Sequence, residues 1–564
     1  MIARLDEPWD QVTLMRAWLA NCASKHSNCR QATVQKLPRR LLDLKPFDDS
    51  DDIRLVESKS ISLEPKYVTL SHCWGPRAKQ PICTTKATLT DRMQRIGHDS
   101  LPLTFQDAVR VSRTLEQQYL WIDSLCIIQD DEDDWSEQAA VMGSIYGASY
   151  VTLAALSSAD STQGCRVRPR DPSKPTLSRY QDFDFGSRRV RIFEHSPAHW
   201  HSEYGDNPYK HDGYGENPLR TRAWTLQERE LSLRTISFAQ GQLLWQCRTM
   251  KGSSQLPWHE MIRSGDDFRP LPLRLKHDED CSPEGPAAKR DHWYSLVEDY
   301  SSRFLTEESD KLPALAGLAS KFRQEHSPGS YYAGIWSEHL PSALLWRTLF
   351  SYSGGQDKLS NPLAVFQPRR PQTYRTPSWS WASIDGEVSY ESQRVDASVD
   401  DVFGSEYGNF QITGSYYQLV TKNDLLGTPS DASLRLRGCV SKVSIDMEPI
   451  DNYMNDGLLR LTGVDRITLG VLYPDIMIDL QGVRSLFVLS VRSESYNSST
   501  RFPPRLHEQL FDYSKPADWN DLDLRMGLAL LPARAGEVFR RVGLVRWMLK
   551  DVFDGIDPTL LRLV

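Results

Sequence analysis

The sequence predicts an α/β domain with a parallel sheet, preceded by a helical lead and followed by a helical segment and a β-rich unit. Two patterns indicate this organisation. Short apolar runs alternate with amphipathic segments of helical length between residues 61 and 250, which is typical of a helix-covered parallel sheet. Beyond residue 376, apolar and polar residues alternate at period two, as in 434–440, which indicates an antiparallel sandwich or barrel.

The same patterns divide the chain into four segments. Apolar residues recur at near-helical spacing from Trp9 to Cys22, which predicts a helix in the lead. Prolines and polar residues dominate 266–290, which indicates a linker. The segments are the helical lead (1–60), the α/β domain (61–250) with an insertion (157–220), a linker with a helical segment (251–375) and the β-rich unit (376–564).

Composition excludes several functional classes. The chain of 564 residues carries a net charge of −7, so it lacks the excess of basic residues that is typical of a general nucleic-acid-binding protein. No run reaches the ~18 apolar residues that a membrane span needs, and the first residues lack the apolar core of a signal peptide. The nine cysteines are scattered through apolar segments, which favours a reduced intracellular chain. We therefore expect a cytoplasmic protein that binds no nucleic acid.

Two predicted strands begin the α/β domain. Residues 67–71 form a short β-branched run that leads into a turn at Gly75, and 119–122 form a second apolar run. Strands of a parallel sheet are covered on both faces. We therefore expect a group of apolar residues in and around these strands to be buried: Trp121, Ile122, Ile127, Val151 and Leu153.

An acidic run at 130–134 follows the second strand. Five acidic residues in succession favour a solvated loop that enters a helix, with Asp133 or Asp134 at the N-cap. Coordination of Mg²⁺ is the alternative interpretation.

The segment 222–232 predicts an amphipathic helix with one unusually placed carboxylate. Thr225 is a possible N-cap with Glu228 three residues later, as in a capping box. An apolar strand follows at 233–238, so Glu228 lies on a helix that leads to a sheet. Because Ser71 and Asp123 both end strands, we expect both, together with Trp74, to converge with Glu228 around one cleft at the carboxyl edge of the sheet, where such folds bind ligands.

Three potential metal ligands occur in the lead. Cys22, His26 and Cys29 would share one face of a helix at i, i+4 and i+7, and could hold Zn²⁺ with a fourth ligand such as Cys73 or His72. Buried core residues are the alternative, because no second local pair of ligands follows. The pattern alone therefore predicts no required metal.

Several of these stretches together resemble the HET domain, the heterokaryon-incompatibility family of filamentous fungi. The similarity is strong from about residue 67 to 247 and looser to about 385. The matching blocks are 67–75, 103–108, 119–130, 135–155, 222–232, 310–317 and 377–383.

The resemblance implies a TIR-like fold, because HET domains are similar to TIR domains. Ser71 would end the first strand, Asp123 would follow a strand before an acidic loop, and Glu228 would lie four residues after Trp224, as the catalytic Glu of plant TIR domains does. Enzymatic TIR domains cleave the nicotinamide–ribose bond of NAD. Glu228 would then be catalytic, because a carboxylate stabilises the positive charge that develops on the ribose.

The resemblance also implies a nucleotide-binding loop. Trp74 would stack on the nucleotide and Gly75 would allow a close backbone approach. Arg222 would bind phosphate or neutralise Glu228. Structural roles are the alternative: Glu228 would cap the helix or form an ion pair, and Asp123 would accept backbone N–H groups. The nucleotide-binding residues implied are Ser71, His72, Trp74, Gly75, Asp123 and Arg222.

The implied function is non-self recognition in fungi leading to regulated cell death, with NAD as substrate and no required cofactor. Such a role would involve a protein partner or self-association. Two alternatives remain: a non-catalytic interaction module that signals by assembly, and an accessory enzyme or regulator of a metabolite pathway. Fold resemblance alone does not decide between them.

Overall fold

The structure, a computed structural model, divides the chain into two compact units. The first unit comprises Met1–Ser282, Arg303–Leu305 and Ala314–Leu318, and the second comprises Pro283–Ser302, Thr306–Pro313 and Ala319–Val564. The residues it describes are 11–30, 37–61, 65–165, 180–185, 188–193, 217–239, 243–254, 259–260, 286–349, 368–390, 407–420, 426–449, 458–463, 468–495, 523–533 and 537–564.

The first unit alternates helices and strands, as expected. Its helices are α1 (Gln11–Lys25), α2 (Leu89–Gln94), α3 (Leu103–Thr114), α4 (Asp123–Cys126), α5 (Glu132–Ala148) and α6 (Trp224–Leu231). Its strands are β1 (Arg40–Asp43), β2 (Arg54–Glu57), β3 (Tyr67–Ser71), β4 (Tyr119–Trp121), β5 (Val151–Ala154), β6 (Tyr180–Phe185), β7 (Arg188–Phe193), β8 (Arg234–Phe238), β9 (Leu243–Cys247), β10 (Met250–Ser253) and β11 (His259–Glu260).

Nine strands of the first unit form one sheet in the order β11-β10-β9-β8-β5-β3-β4-β1-β2. The four central strands, β8, β5, β3 and β4, are parallel. The first of them in the chain, β3, lies between β4 and β5, so successive connections leave β3 in opposite directions. The carboxyl end of β3 is therefore a topological switch point, the position where open α/β sheets bind ligands.

The predicted parallel sheet is confirmed at its centre only, because antiparallel strands extend it on both sides. On one side β9 pairs antiparallel with β8, and on the other β1 pairs antiparallel with β4. The lead therefore contains two strands as well as a helix, since its residues 40–43 and 54–57 join the sheet. Runs of four residues are too short for their period to reveal a strand.

The boundary predicted for the insertion also shifts. Residues 157–165 pack against α3 rather than leaving the domain: Thr104 N donates to Ser161 O at 2.9 Å, and Cys165 N donates to Asp107 Oδ2 at 3.1 Å. Within the insertion, β6 and β7 form an antiparallel two-stranded pair. The linker predicted at 266–290 lies almost entirely outside the described residues.

The acidic run has a structural role that differs from the prediction. Helix α5 begins at Glu132 with Asp131 at its N-cap, so neither Asp133 nor Asp134 caps it. Asp134 is instead buried, where it pairs with Arg40 and accepts the Ile128 N–H at 2.8 Å. The backbone and charge contacts of Asp134 hold the β4–α5 connection in place, which a solvated carboxylate could not do.

The predicted core is confirmed. Trp121, Ile122, Val151 and Leu153 are fully buried, and Ile127 is 5 % exposed. The Trp121 ring also meets the Tyr146 ring edge-on, with centroids 5.6 Å apart, which links the sheet to α5.

Trp121→Ala should destabilise the first unit by about 3–5 kcal/mol, because it leaves a large cavity under the sheet. Thermal unfolding of the purified variant measures this loss. Trp135→Ala is the matched control, since this indole is only partly buried at the edge of the same core. An unchanged melting temperature for Trp121→Ala would contradict the assignment.

The second unit contains two helices followed by strands. Its helices are α7 (Pro286–Ser301) and α8 (Pro313–His326), although residues 314–318 of α8 are grouped with the first unit. Its strands are β12 (Tyr331–Tyr332), β13 (Ile335–Trp336), β14 (Arg347–Thr348), β15 (Val388–Ser389), β16 (Gln411–Leu419), β17 (Pro429–Gly438), β18 (Val440–Pro449), β19 (Leu459–Thr462), β20 (Thr468–Pro474), β21 (Ser485–Ser495), β22 (Asp523–Pro532), β23 (Val538–Leu549) and β24 (Thr559–Leu563).

The predicted β-rich unit is confirmed and resembles a barrel. Its strands follow the order β16-β17-β24-β23-β20-β19-β18-β21-β22, and β22 also pairs with β23. This additional pairing closes six strands into a ring, from β23 through β20, β19, β18, β21 and β22. Closure satisfies the backbone hydrogen bonds of strands that would otherwise be edges. Pairing is antiparallel except between β23 and β24.

None of the helices in the described ranges is long and apolar enough to span a membrane.

Candidate functional site

Glu228 and Ser71 meet at the carboxyl end of β3. Ser71 is the last residue of β3 and Glu228 lies on α6, and the Ser71 hydroxyl donates a hydrogen bond to Glu228 Oε2. Both side chains are buried, at 4 % and 5 % exposure. Ser71 and Glu228 are 157 residues apart in the sequence, and the fold brings them into contact at the switch point of the sheet. The expected convergence is confirmed for this pair.

The environment shifts the protonation of Glu228 toward neutral pH. Burial, together with the negative charge of Asp123, raises the pKa of Glu228 to about 7. The Ser71 hydrogen bond, the positive charge of Arg222 and the Tyr146 hydroxyl act in the opposite direction. A carboxyl group with such a pKa exchanges its proton near physiological pH, which is a property of acid–base and electrostatic catalysts.

Tyr146 is a member of the site that the sequence did not reveal. Its hydroxyl donates to the Leu70 carbonyl at 3.1 Å and also interacts with Glu228. Burial, together with the Glu228 charge, raises the pKa of Tyr146 well above its ordinary value, so the phenol stays protonated and can donate. Tyr146 falls in the block 135–155, but its spacing there is that of an ordinary helical core residue.

Asp123 and Trp74 form the second part of the site. Trp74 Nε1 donates to Asp123 Oδ2 at 2.8 Å, and the other carboxylate oxygen accepts the Ser124 N–H at 2.7 Å. The structural alternative for Asp123, acceptance of a backbone N–H, is therefore confirmed. The same carboxylate fixes the half-buried indole of Trp74 beside the strand ends.

His72 and Arg222 link the loop after β3 to the segment before α6. Arg222 Nη1 donates to the His72 carbonyl at 2.6 Å rather than to the Glu228 carboxylate. Arg222 therefore acts on Glu228 through a longer-range charge interaction and not through the expected direct ion pair. Burial lowers the pKa of His72 to about 4, so the ring is neutral, and it packs edge-on against Phe105 with centroids 5.0 Å apart.

Gly75 has a conformation that other residues rarely adopt. Its φ is +80°, and a Cβ atom there would lie 2.5 Å from Asp160 Cβ. The close backbone approach expected at this glycine is therefore made to Asp160. A nucleotide-binding role for Gly75 stays a prediction, as it does for Ser71, His72, Trp74, Asp123 and Arg222.

The capping box predicted for Thr225 and Glu228 is wrong. Helix α6 begins at Trp224, with Ala223 at the cap position. The Thr225 hydroxyl donates to the carbonyls of Leu219 and Arg222, at 2.7 and 2.8 Å. The helix starts two residues earlier than the capping pattern requires, so Glu228 lies in the middle of α6 and faces β3.

The predicted metal ligands of the lead lie elsewhere in the first unit. Helix α1 ends at Lys25 and a tight turn follows at 27–29, so Cys22, His26 and Cys29 do not share a helical face. The turn nevertheless brings them together with Cys247. The fourth member of the cluster is thus Cys247 and neither Cys73 nor His72, which belong to the loop after β3.

Fold and site together define an α/β domain with a buried carboxylate at its switch point, and sequence comparison supplies the family. Residues 67–228 match the family model described as Heterokaryon incompatibility protein (HET). This segment of the chain is therefore similar to the HET family, and it runs from the first residue of β3 to Glu228.

A curated relative supports this assignment. The chain is 30% identical over 123 residues to "Heterokaryon incompatibility protein 6, OR allele" of Neurospora crassa. The match covers 20% of this chain and 17% of that protein, so the chain spans far less than two thirds of its relative. No solved structure matches the chain.

Proposed function

We propose that the HET domain of this protein hydrolyses NAD at the bond between nicotinamide and ribose, as TIR-like enzymes do. The observation that carries the proposal is the buried Glu228 carboxyl at the end of β3, with the Ser71 hydroxyl on one of its oxygens and its pKa near 7. The order of the four parallel strands is also compatible with a TIR-like domain, because β3 lies between β4 and β5.

The chemistry assigns a defined role to Glu228. The C–N bond between ribose C1′ and the nicotinamide nitrogen breaks, and its electron pair leaves with nicotinamide, which becomes neutral. Positive charge then lies on the ribose as an oxocarbenium ion, which the Glu228 carboxylate stabilises. Water adds to C1′ and releases a proton, giving ADP-ribose. Because the leaving group needs no proton, the ionised form of Glu228 is the active one.

The surrounding residues have positioning roles in this proposal. Ser71 holds the carboxylate and Tyr146 interacts with it, while Trp74, fixed by Asp123, offers an aromatic face to the nucleotide. Arg222 offers positive charge near the loop after β3, where a phosphate would lie.

The biological role that we propose is that of an effector or regulator in fungal non-self recognition, acting through regulated cell death. The support is the HET segment and the name of the relative, a heterokaryon incompatibility protein. NAD depletion would link the site to that outcome. Assembly with a protein partner or with further copies would bring the activity under control.

The direct test is NAD consumption by the purified full chain, alone and fused to an oligomerising domain. Formation of nicotinamide and ADP-ribose by either sample supports the proposal. A wild-type chain without turnover in both states would refute it and leave the interaction module that signals by assembly as the better account.

The pH dependence of turnover gives a second test. Glu228 must be ionised, and its pKa is about 7, so the rate should rise with pH and level off above that value. One pH unit below the pKa the rate should be about a tenth of its plateau. A rate that falls with rising pH across this range would instead indicate a protonated acid, contrary to the mechanism.

A further inference from the structure

A second cluster of chemically reactive side chains lies in the first unit, apart from Glu228. Cys22 comes from α1, His26 and Cys29 from the turn after it, and Cys247 from the end of β9. Their ligand atoms all lie within 4.8 Å of one another. The three cysteines are buried, and His26 Nδ1 lies 3.4 Å from Cys247 Sγ.

We propose that Cys22, His26, Cys29 and Cys247 bind a single zinc ion in a structural site. Three thiolates and one imidazole form a closed ligand set of the kind that holds zinc tetrahedrally, with no position left for substrate. The edges of such a tetrahedron measure ~3.7 Å with ordinary zinc–sulfur distances, so only small side-chain movements would complete it. Carboxylate-preferring ions such as Mg²⁺ do not suit these ligands.

Two of the sulfurs accept hydrogen bonds from nearby N–H groups, as the sulfurs of metal-bound cysteines do. Arg234 Nε donates to Cys22 Sγ at 3.2 Å, and the Met250 N–H donates to Cys247 Sγ at 3.2 Å. Zinc with three thiolates and a neutral imidazole carries one net negative charge, which the buried guanidinium of Arg234 offsets. Hydrogen bonds to ligand sulfurs orient them and tune a metal site.

The place of the cluster in the sheet indicates a structural role. Cys247 pairs with Arg234, the first residue of β8, so the cluster lies at the amino end of that parallel strand. Ser71 ends β3, and Ala154, its partner in the register, ends β5, so the Glu228 site lies at the carboxyl end. Zinc would therefore fasten α1 to the antiparallel extension of the sheet rather than take part in chemistry at Glu228.

Elemental analysis of the full chain, purified under reducing conditions without chelator, tests the proposal. Wild type should hold close to one zinc per chain, and Cys247→Ser should lose it. Cys165→Ser is the matched control, because Cys165 is buried outside the cluster and its Sγ contacts the Thr104 carbonyl, which a serine can also reach. The control should retain the wild-type zinc content.

A spectroscopic measurement covers the case in which Cys247→Ser does not fold. Wild-type protein treated with a chelator and then with Co²⁺ should develop the visible and thiolate charge-transfer bands of a tetrahedral site. Absence of zinc together with no uptake of Zn²⁺ or Co²⁺ would overturn the proposal. So would a disulfide between two of the three cysteines in the native protein, detected by mass spectrometry.

Discussion

Glu228→Gln should abolish most NAD cleavage while leaving the protein folded. The substitution keeps the shape of the side chain and an oxygen that can accept the Ser71 hydrogen bond, but it removes the charge that would stabilise the ribosyl cation. Loss of one electrostatic contribution of this kind lowers the rate ~10²–10³-fold. Turnover of NAD by purified wild type and variant, measured side by side, checks the expectation.

Glu230→Gln is the matched control for this experiment. Glu230 is a buried carboxylate on the same helix, paired with Arg229 at 2.7 Å and without the contact to Ser71. Its variant should retain turnover. Equal loss in both variants would point to disruption of α6, and full turnover in Glu228→Gln would remove Glu228 from the mechanism.

Wild type and Glu228→Gln should also differ in how stability depends on pH. The folded-state pKa of Glu228 lies above its ordinary value of 4.5, so its contribution to stability is present at low pH and is lost as pH rises toward about 7. Glutamine does not titrate. The melting temperature of Glu228→Gln should therefore fall less than that of wild type over this range.

In the second unit, Arg541→Met should be strongly destabilising, by about 3–5 kcal/mol, because it leaves a buried charge without its partner. Arg541 and Asp475 are both fully buried, with Nη2 and Oδ1 3.0 Å apart. The guanidinium also donates to the carbonyls of Leu344 and Trp346 and lies 3.6 Å from the Trp346 ring centre. The substitution thus breaks the Arg541–Asp475 pair and removes the hydrogen bonds that the guanidinium donates to two buried carbonyls.

Chemical denaturation of the purified chain measures this effect, with Arg540→Met as control. Arg540 is the preceding residue on β23, pairs with Asp479 at 3.6 Å and is 38% exposed, so its loss should cost at most ~1 kcal/mol. If the two substitutions lowered the free energy of unfolding equally, the buried pair would add nothing to stability.

The local elements could be predicted from the sequence because each has a short-range signal. The β-branched run at 67–71 and the apolar run at 119–122 correspond to β3 and β4, and the amphipathic segment at 222–232 contains α6. The resemblance of these blocks to the HET family then pointed to Ser71 and Glu228. Each of these steps uses residues that are neighbours in the chain.

The rest could not be predicted because it depends on pairing between distant residues. Leu42 pairs with Leu120, and nothing in the short run around Leu42 specifies that partner. Cys247 joins Cys22 only after the sheet has formed, and Tyr146 reaches Glu228 only when α5 and α6 pack on the same sheet. Such contacts follow from tertiary packing rather than from spacing.

Strand β24 has a consequence for how the second unit can be handled. In the strand order it lies between β17 and β23, pairing antiparallel with one and parallel with the other. Its five residues therefore connect the long β16–β17 hairpin to the closed ring by backbone hydrogen bonds to β17 and β23. Trimming them would expose the unpaired backbone of β17, and an open edge of that length recruits other chains and aggregates. Shortened versions of the second unit should therefore retain Thr559–Leu563.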